Sequence, residues 1–538
     1  MRFKAFLFFL FLSGLWPSTA SAWNRFIVRD TAGFDALQQA CVPLGCIVVS
    51  SIDGAPNQNQ VFLVTAPLEI DPALILTELL SVPGVVNAEL DQTVPLVPAL
   101  SQRPAIPAGL SDTSQVQYFG ASVRNSYVNQ PAAQIVRVAE AQNTFHVAGS
   151  GIVADINTGV DPNHPALQGV LLPGWDFTRN QAGGSEMTDL QSSSSPPPSC
   201  GDCQPGFVNQ STAAVLDQST AAVLDGNPDY KAFGHGTMVV GVIHLVAPQA
   251  KLLPLKAFNS KGEGFLSDIL SAIYFAVQNH ANVINMSFDL KTQSDELSKA
   301  LDFANQQNVI CTGSVGNDGV MEITYPAALQ TDVMGVASTS DLDQRSTFSN
   351  FGNAIVWVAA PGEAVISTYP FSSYGAAWGT SFSAPFVAGA AALLLDQKPS
   401  TNESQAAAAV AHAVPVGPNM GNGRLDLVQA LAANGGQPGD FCITGGRHRK
   451  AKIHRGYKET FTFKVTALDG FTGTVDLSLT GLPSNTSVDF DPPAITGSGW
   501  FELTLRVDDD TRHGSYKLTV TGTSGSLRHS VDVDLHVQ

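Results

Sequence analysis

The chain has 538 residues, too many for one ordinary domain and enough for two to four. Charged residues make up 14% of it, against about 25% in a typical soluble protein, so its surface must lean on Ser, Thr, Asn and Gln. A net charge of −18 argues against nucleic acid or an anionic membrane as partner.

Arg2 and Lys4 open the chain, an apolar run follows from Ala5 to Trp16, and Ala20-Ser21-Ala22 closes it. That order is a secretory signal peptide over residues 1–22, cut before Trp23. The run falls short of the roughly 20 apolar residues that span a bilayer, and no later stretch offers an uninterrupted span. The expected product is not membrane-spanning and is secreted or extracellular, with the periplasm or the cell surface as alternative destinations. An oxidising compartment makes Cys41–Cys46 and Cys200–Cys203 candidate disulfides. Cys200-Gly201-Asp202-Cys203 also reads as half a zinc site, but no second pair at metal spacing accompanies it. Cys311 lies in an apolar, strand-like run and reads as a buried thiol rather than a nucleophile.

Residues 23–94 read as a compact α+β unit. Phe26–Val28, Cys46–Val49 and Val61–Val64 look like strands, Pro72–Leu80 like a helix, and Gly84–Glu89 like a closing strand. The Pro-rich stretch that follows makes residues 95–115 an exposed linker. From 116 to 433, apolar strand-like runs alternate with helical patterns. The strands are Ile152–Ile156, Lys251–Leu255, Val283–Met286, Val309–Thr312 and Val333–Ala337; helices such as Leu266–Asn279 and Asp295–Gln307 lie between them. That alternation predicts an α/β domain, a mostly parallel sheet covered by helices on both faces. A long insertion before His235 carries a Ser/Pro-rich run, then the tandem copies Gln210–Asp217 and Gln218–Asp225, which suggest a surface β-ribbon or loop. Residues 439–538 change character: Phe461–Val465, Val475–Leu479, Phe501–Leu505 and Tyr516–Val520 alternate strictly, as in an all-β sandwich.

Three motifs carry chemistry. Gly379-Thr380-Ser381-Phe382-Ser383-Ala384-Pro385 places a serine at the start of a helix, with Pro385 tolerated in the first turn. Alone, such a tripeptide is an ordinary helix cap. A hydroxyl needs a base within hydrogen-bond reach, and His235 in Gly234-His235-Gly236-Thr237 has a context that none of the other histidines shares. The third motif runs from Asp155-Ile156-Asn157-Thr158-Gly159 to His164-Pro165.

Together these motifs resemble those of the subtilisin-like serine proteases, the subtilases, in that family's order of acid, histidine and serine. Tyr325-Pro326-Ala327, Phe348–Gly352, Ala360-Pro361-Gly362 and Gly423–Asp426 extend the resemblance across most of Gly149–Ala433. It implies a three-layer subtilisin-like domain, a serine endopeptidase with Ser381 as nucleophile and His235 as general base. Val315-Gly316-Asn317-Asp318-Gly319 would supply Asn317 as oxyanion donor beside the Ser381 N–H. Ser287, Phe288, Asp289, Ser314, Val315 and Gly316 would line the substrate cleft, where Asp289 and Leu290 stand in place of the family's glycines. Phe386, Met238 and Val240 also depart from the family pattern as packing changes, while His164 and His244 read as structural. The unit over 23–94 resembles the family's inhibitory propeptide, so the expected partners are a polypeptide substrate or ligand and the chain's own propeptide. The terminal sandwich is similar to immunoglobulin-like modules. No cofactor is implied, and the short loop from Gly241 to Pro248 leaves no tight calcium site there.

One departure bears on activity: Asn157 occupies the family's catalytic aspartate position. An asparagine has roughly the same shape but no charge, and its NH₂ can face the ring and leave the wrong nitrogen protonated; such changes cost about 10⁴-fold. Asp155 lies two residues back on the same strand face, about 6.5 Å away, and does not reach His235 without a bulge. An attenuated peptidase is the first reading. A pseudoprotease that binds peptide without turnover and a surface adhesin or structural protein are the alternatives.

Overall fold

The computed structural model describes residues 23–54, 60–96, 107–191, 207–208, 213–215, 228–434, 440–445, 450–468, 471, 473–524 and 527–538. The signal segment, the Cys200–Cys203 pair with its zinc alternative, and the second copy of the repeat lie outside these residues. Residues to Asp91 form one compact unit and those from Gln92 a second.

The first unit contains β1 (Trp23–Asp30), α1 (Phe34–Leu44), β2 (Ile47–Ser51), β3 (Val61–Pro67), α2 (Pro72–Ser81) and β4 (Val85–Leu90). The strands form an antiparallel sheet ordered β2-β3-β1-β4. Period-two alternation sends Phe26, Val28, Phe62 and Val64 into one core with Leu37, Ile75 and Leu79 from the helices. Helix α2 starts where Asp71 accepts from the Ala73 N–H, with Pro72 in its first turn. Cys41 and Cys46 form a disulfide.

The second unit opens with β5 (Thr93–Pro95). Its main sheet is built from β6 (Ile152–Asn157), β7 (Trp175–Asp176), β8 (Gln181–Ala182), β9 (Lys251–Lys256), β11 (Val283–Met286), β12 (Ile310–Ser314), β13 (Met334–Thr339) and β14 (Val358–Pro361). A short edge strand, β10 (Glu263–Phe265), stands outside it. The order is β8-β7-β9-β6-β11-β12-β13-β14, parallel throughout except for the β8–β7 pair. Every residue of β11, β12 and β13 is buried, as expected of strands covered on both faces. The crossover helices include α3 (His235–Val246), α4 (Leu266–Gln278), α5 (Asp295–Gln306) and α6 (Thr380–Gln397). Helix α6 is buried from Thr380 to Leu395. A second small sheet joins β15 (Val365–Tyr369) and β16 (Ser373–Ala377) to Ala213–Val215 and Phe207–Val208. The first repeat copy thus supplies a strand of a β-ribbon.

Two boundaries differ from the sequence expectation. Gln92–Val94, expected to close the first unit, and Pro95-Leu96, expected to open the linker, belong instead to the second: β5 pairs antiparallel with β10, the Leu266 N–H donates to Gln92 O and the Leu96 N–H to Gly262 O. Leu110, inside the expected exposed linker, is fully buried. Both segments contain an apolar residue, Val94 or Leu110, whose burial outweighs the Pro-rich context.

Among the described residues after 440, nine strands form two sheets of four and five strands over one apolar core that includes Phe461, Phe501, Leu518 and Val533. Among the described residues no helix is long and apolar enough to cross a membrane.

Candidate active site

Strand β6 ends on Asn157 at the point where strand order reverses, with β9 on one side and β11 on the other. The crevice beyond such strand ends is where open α/β sheets gather ligands. Here it gathers Asn157, Ser287 just past β11, Asn317 past β12, and the N-termini of α3 and α6, which carry His235 and Ser381.

The backbone around His235 requires glycine. Gly234 has φ 91°, and a Cβ there would lie 2.4 Å from the Tyr369 ring; one on Gly236 would lie 2.0 Å from Gly159 O. Glu186, buried in the insertion, accepts from the Gly234 N–H at 2.5 Å and bonds the Thr237 hydroxyl, pinning both sides of the histidine. Burial holds its carboxyl well above the usual range. Lys256, also buried, bonds Asp189 and the carbonyls of Thr158 and Phe258 behind this loop.

Asn157 Oδ1 lies 2.7 Å from His235 Nδ1 and also accepts from the Thr158 N–H at 2.8 Å. A backbone N–H needs an acceptor, so the oxygen and not the NH₂ must face the ring. His235 therefore carries its proton on Nδ1, leaving Nε2 as the base. The wrong-tautomer outcome that Asn157 permits in isolation is blocked by its neighbour's backbone. Burial lowers the His235 pKa to about 4, so the ring is neutral at neutral pH.

Ser381 is fully buried, and its Oγ donates to Ser287 O at 3.2 Å. His235 Nε2 has no hydrogen-bond partner among the described residues. Serine and imidazole are thus gathered in one crevice without a bond between them, as in many unliganded hydrolases. Pro385 lies in the second turn of α6 rather than the first. Lacking an N–H, it cannot bond the Ser381 carbonyl, and the Ser287 hydroxyl does so at 2.9 Å. A helix-breaking residue thereby ties the Ser287 segment to the serine.

Asn317 Oδ1 accepts from the N–H and the hydroxyl of Thr380, at 2.8 and 2.9 Å. Its Nδ2 is buried and has no partner among the described residues. The amide is thus oriented as a donor with nothing yet to donate to.

Of the expected cleft residues, Ser287, Phe288, Ser314, Val315 and Gly316 are buried, and Asp289 is partly buried. They end central strands, so they form the floor of the site. The Ser314 hydroxyl joins the two segments through Phe288 O. Asp289 faces Gly316, and burial reinforced by Asp318 pushes its carboxyl up to about 7 against the pull of Lys291. Leu290 exchanges both backbone hydrogen bonds with Tyr325, so no peptide can pair with it. His164 bonds Ser373 O and His244 bonds Tyr127, both away from the serine. Cys311 is a buried free thiol. Among the described residues no group of three or more His, Cys, Asp or Glu side chains could hold a metal ion.

Sequence reasoning missed Glu186, Thr380 and Thr158. Glu186 sits in an insertion without a motif. The two threonines lie inside recognised motifs, yet their contacts become visible only in three dimensions.

Residues 149–439 match the family model described as the subtilase family of S8 peptidases. The chain is 32% identical to thermitase of Thermoactinomyces vulgaris over 270 residues, 50% of this chain and 84% of that protein. It is 38% identical to subtilisin DY of Bacillus licheniformis over 185 residues, 32% of this chain and 67% of that protein. With subtilisin BL of Lederbergia lenta, identity is 36% over 181 residues, 32% of this chain and 66% of that protein.

Proposed function

The chain belongs to the subtilase family of serine peptidases, and from that premise we propose that it is an exported, self-processing endopeptidase of reduced turnover. Ser381 attacks the peptide carbonyl after its hydroxyl rotates from Ser287 O to His235 Nε2. His235 takes the proton and returns it to the leaving amine. Asn317 Nδ2 and the Ser381 N–H receive the developing oxyanion. Asn157 supplies geometry without charge, so it holds the right tautomer but stabilises the imidazolium less than a carboxylate would.

The observation that carries this reading is the pair of oriented amides. Thr158 turns the Asn157 oxygen toward His235, and Thr380 turns the Asn317 nitrogen away from itself. A site kept only as scaffold needs neither orientation. The pairing of Gln92–Leu96 along Gly262–Leu266 supports the propeptide reading, because an extended segment directly after the N-terminal unit already lies on an edge strand of the second unit.

The test is the intact mass of purified protein beside its Ser381→Ala variant. The wild type should lose the segment before about residue 116 and the variant should keep it. Equal, full-length masses after signal removal would refute self-processing.

A further inference from the structure

Two buried polar atoms near His235 lack partners among the described residues, and they are complementary. Asp155 Oδ1 accepts from Asn285 Nδ2 at 2.8 Å, which leaves Oδ2 an acceptor without a donor. Asn157 Oδ1 is taken by His235 and Thr158, which leaves Nδ2 a donor without an acceptor. The two residues stand two apart on β6, whose pairing with β9 runs unbroken from Ile152 to Asn157, so both side chains leave the same face. The Asn157 amide already lowers the Asp155 carboxyl, against the larger effect of burial.

We propose that Asp155 is the site's carboxylate, acting through Asn157 in a carboxylate–amide–imidazole chain that completes the triad without touching the histidine. Asp155 is a positioning residue in this scheme, and the inference rests on the peptidase reading above. Its charge attracts the Asn157 NH₂ and polarises the amide, which increases the negative charge on Oδ1. Oδ1 then accepts more strongly from the His235 Nδ1–H as the ring becomes a cation. No proton leaves Asn157; the one moved in the reaction passes from Ser381 Oγ to His235 Nε2 and on to the leaving amine. Asn285 fixes the other end of the chain. Its Nδ2 also reaches Ser287 Oγ at 3.0 Å and its Oδ1 accepts from Thr312, so the amide holding Asp155 is anchored to the residue that binds Ser381.

The scheme needs Asp155 ionised, and burial raises its carboxyl to about 7. Charged neighbours on the elements packed against β6 are committed elsewhere: Lys256 to Asp189, Asp396 to the N–H groups of Ala148 and Gly149, His244 to Tyr127. Lys251 at the far end of β9 bonds Gly169 O, and Asp268 lies in the first turn of α4. Burial and the Asn285 and Asn157 amides set the Asp155 ionisation.

A cycle of Asp155→Asn, Asn157→Asp and the double variant tests the chain, read as kcat, KM and pH profile on a denatured protein substrate. All proteins are also labelled with a fluorophosphonate probe for Ser381. In the Asn157 background, Asp155→Asn should lower kcat about 10- to 100-fold with KM within about twofold. It should also abolish the step in activity near pH 7, leaving a weak activity that persists toward pH 4. In the Asn157→Asp background the same change should be nearly silent, because the new carboxylate serves His235 directly. Equal losses in both backgrounds, no loss in either, or an inert wild type beside an active Asn157→Asp variant would overturn the chain while leaving the peptidase reading intact. If neither wild type nor Asn157→Asp hydrolyses or labels, the peptidase reading falls and the chain with it.

Discussion

Asn317 illustrates how a single side chain acquires a chemical direction. An amide can present oxygen or nitrogen, and the choice follows from the neighbour that claims one end. Thr380 claims the oxygen with two donors, so the nitrogen is left without a partner among the described residues, free for the oxyanion role proposed for it. Asn317→Leu keeps the volume and removes the donor; steady-state kinetics should show a loss of about 10²- to 10³-fold in kcat with KM almost unchanged. A comparable rise in KM would instead point to ground-state binding. At this scale the sequence singled out Ser381, His235, Asn157 and Asn317 by motif, and the structure brings all four to the ends of the central strands. What was not legible is orientation. That Asn157 offers oxygen depends on the Thr158 N–H, and that Ser287 grips Ser381 depends on a carbonyl freed by Pro385. Such contacts follow from backbone path, which no short motif spells out.

Elements were read more securely than their joints. Predicted strands such as Val283–Met286 and Ile152–Ile156 appear with boundaries shifted by a residue or less, since long apolar runs at regular spacing admit few other structures. The edge pairing of β5 with β10 escaped notice because three residues carry too little pattern. The anchoring of α3 escaped for another reason: its key residue, Glu186, lies some 50 positions upstream in an insertion. Glu186 holds the N-terminal loop of α3 through the Gly234 N–H and the Thr237 hydroxyl, both buried. Glu186→Ala strips an acceptor from these two groups and from the more distant Thr158 hydroxyl, and should cost about 2–4 kcal/mol in denaturant unfolding, with a loss of turnover as His235 drifts. Glu186→Gln preserves an acceptor for Gly234 and a donor for Thr237. Because burial already favours the protonated carboxyl, this variant should unfold near the wild-type midpoint. A Gln variant as weak as Ala would show that the negative charge itself holds the loop.

Across the whole molecule, buried ionisable groups set how stability responds to pH. Burial raises Asp155 and Asp289 to about 7 and Asp332 to about 6, and holds Glu186 and Glu403 above their usual range. In the unfolded chain these acids ionise near pH 4, whereas the folded chain keeps their protons. The unfolded state therefore binds fewer protons, and stability falls as pH rises from about 4 to about 8. Buried His235 and His244 act the other way: burial lowers both to about 4 in the folded state. Their contribution is complete above about 6.5 and is lost as pH falls from 6.5 to 4. Between pH 4 and 6.5 the two sets oppose each other. Above 6.5 only the acids remain, and the net charge of −18 adds self-repulsion in the same direction. With five acids against two histidines the acids prevail, so thermal unfolding of the Ser381→Ala protein, chosen to prevent self-digestion, should give a Tm that is highest near about pH 4 to 5 and declines toward pH 8.5. Asp155→Asn in that background removes one of the acids and should flatten the decline. A Tm that climbs from pH 6.5 to 8.5 would mean that these carboxyls are ionised and paired in the folded protein, and the step in activity near pH 7 expected from Asp155 would be absent as well.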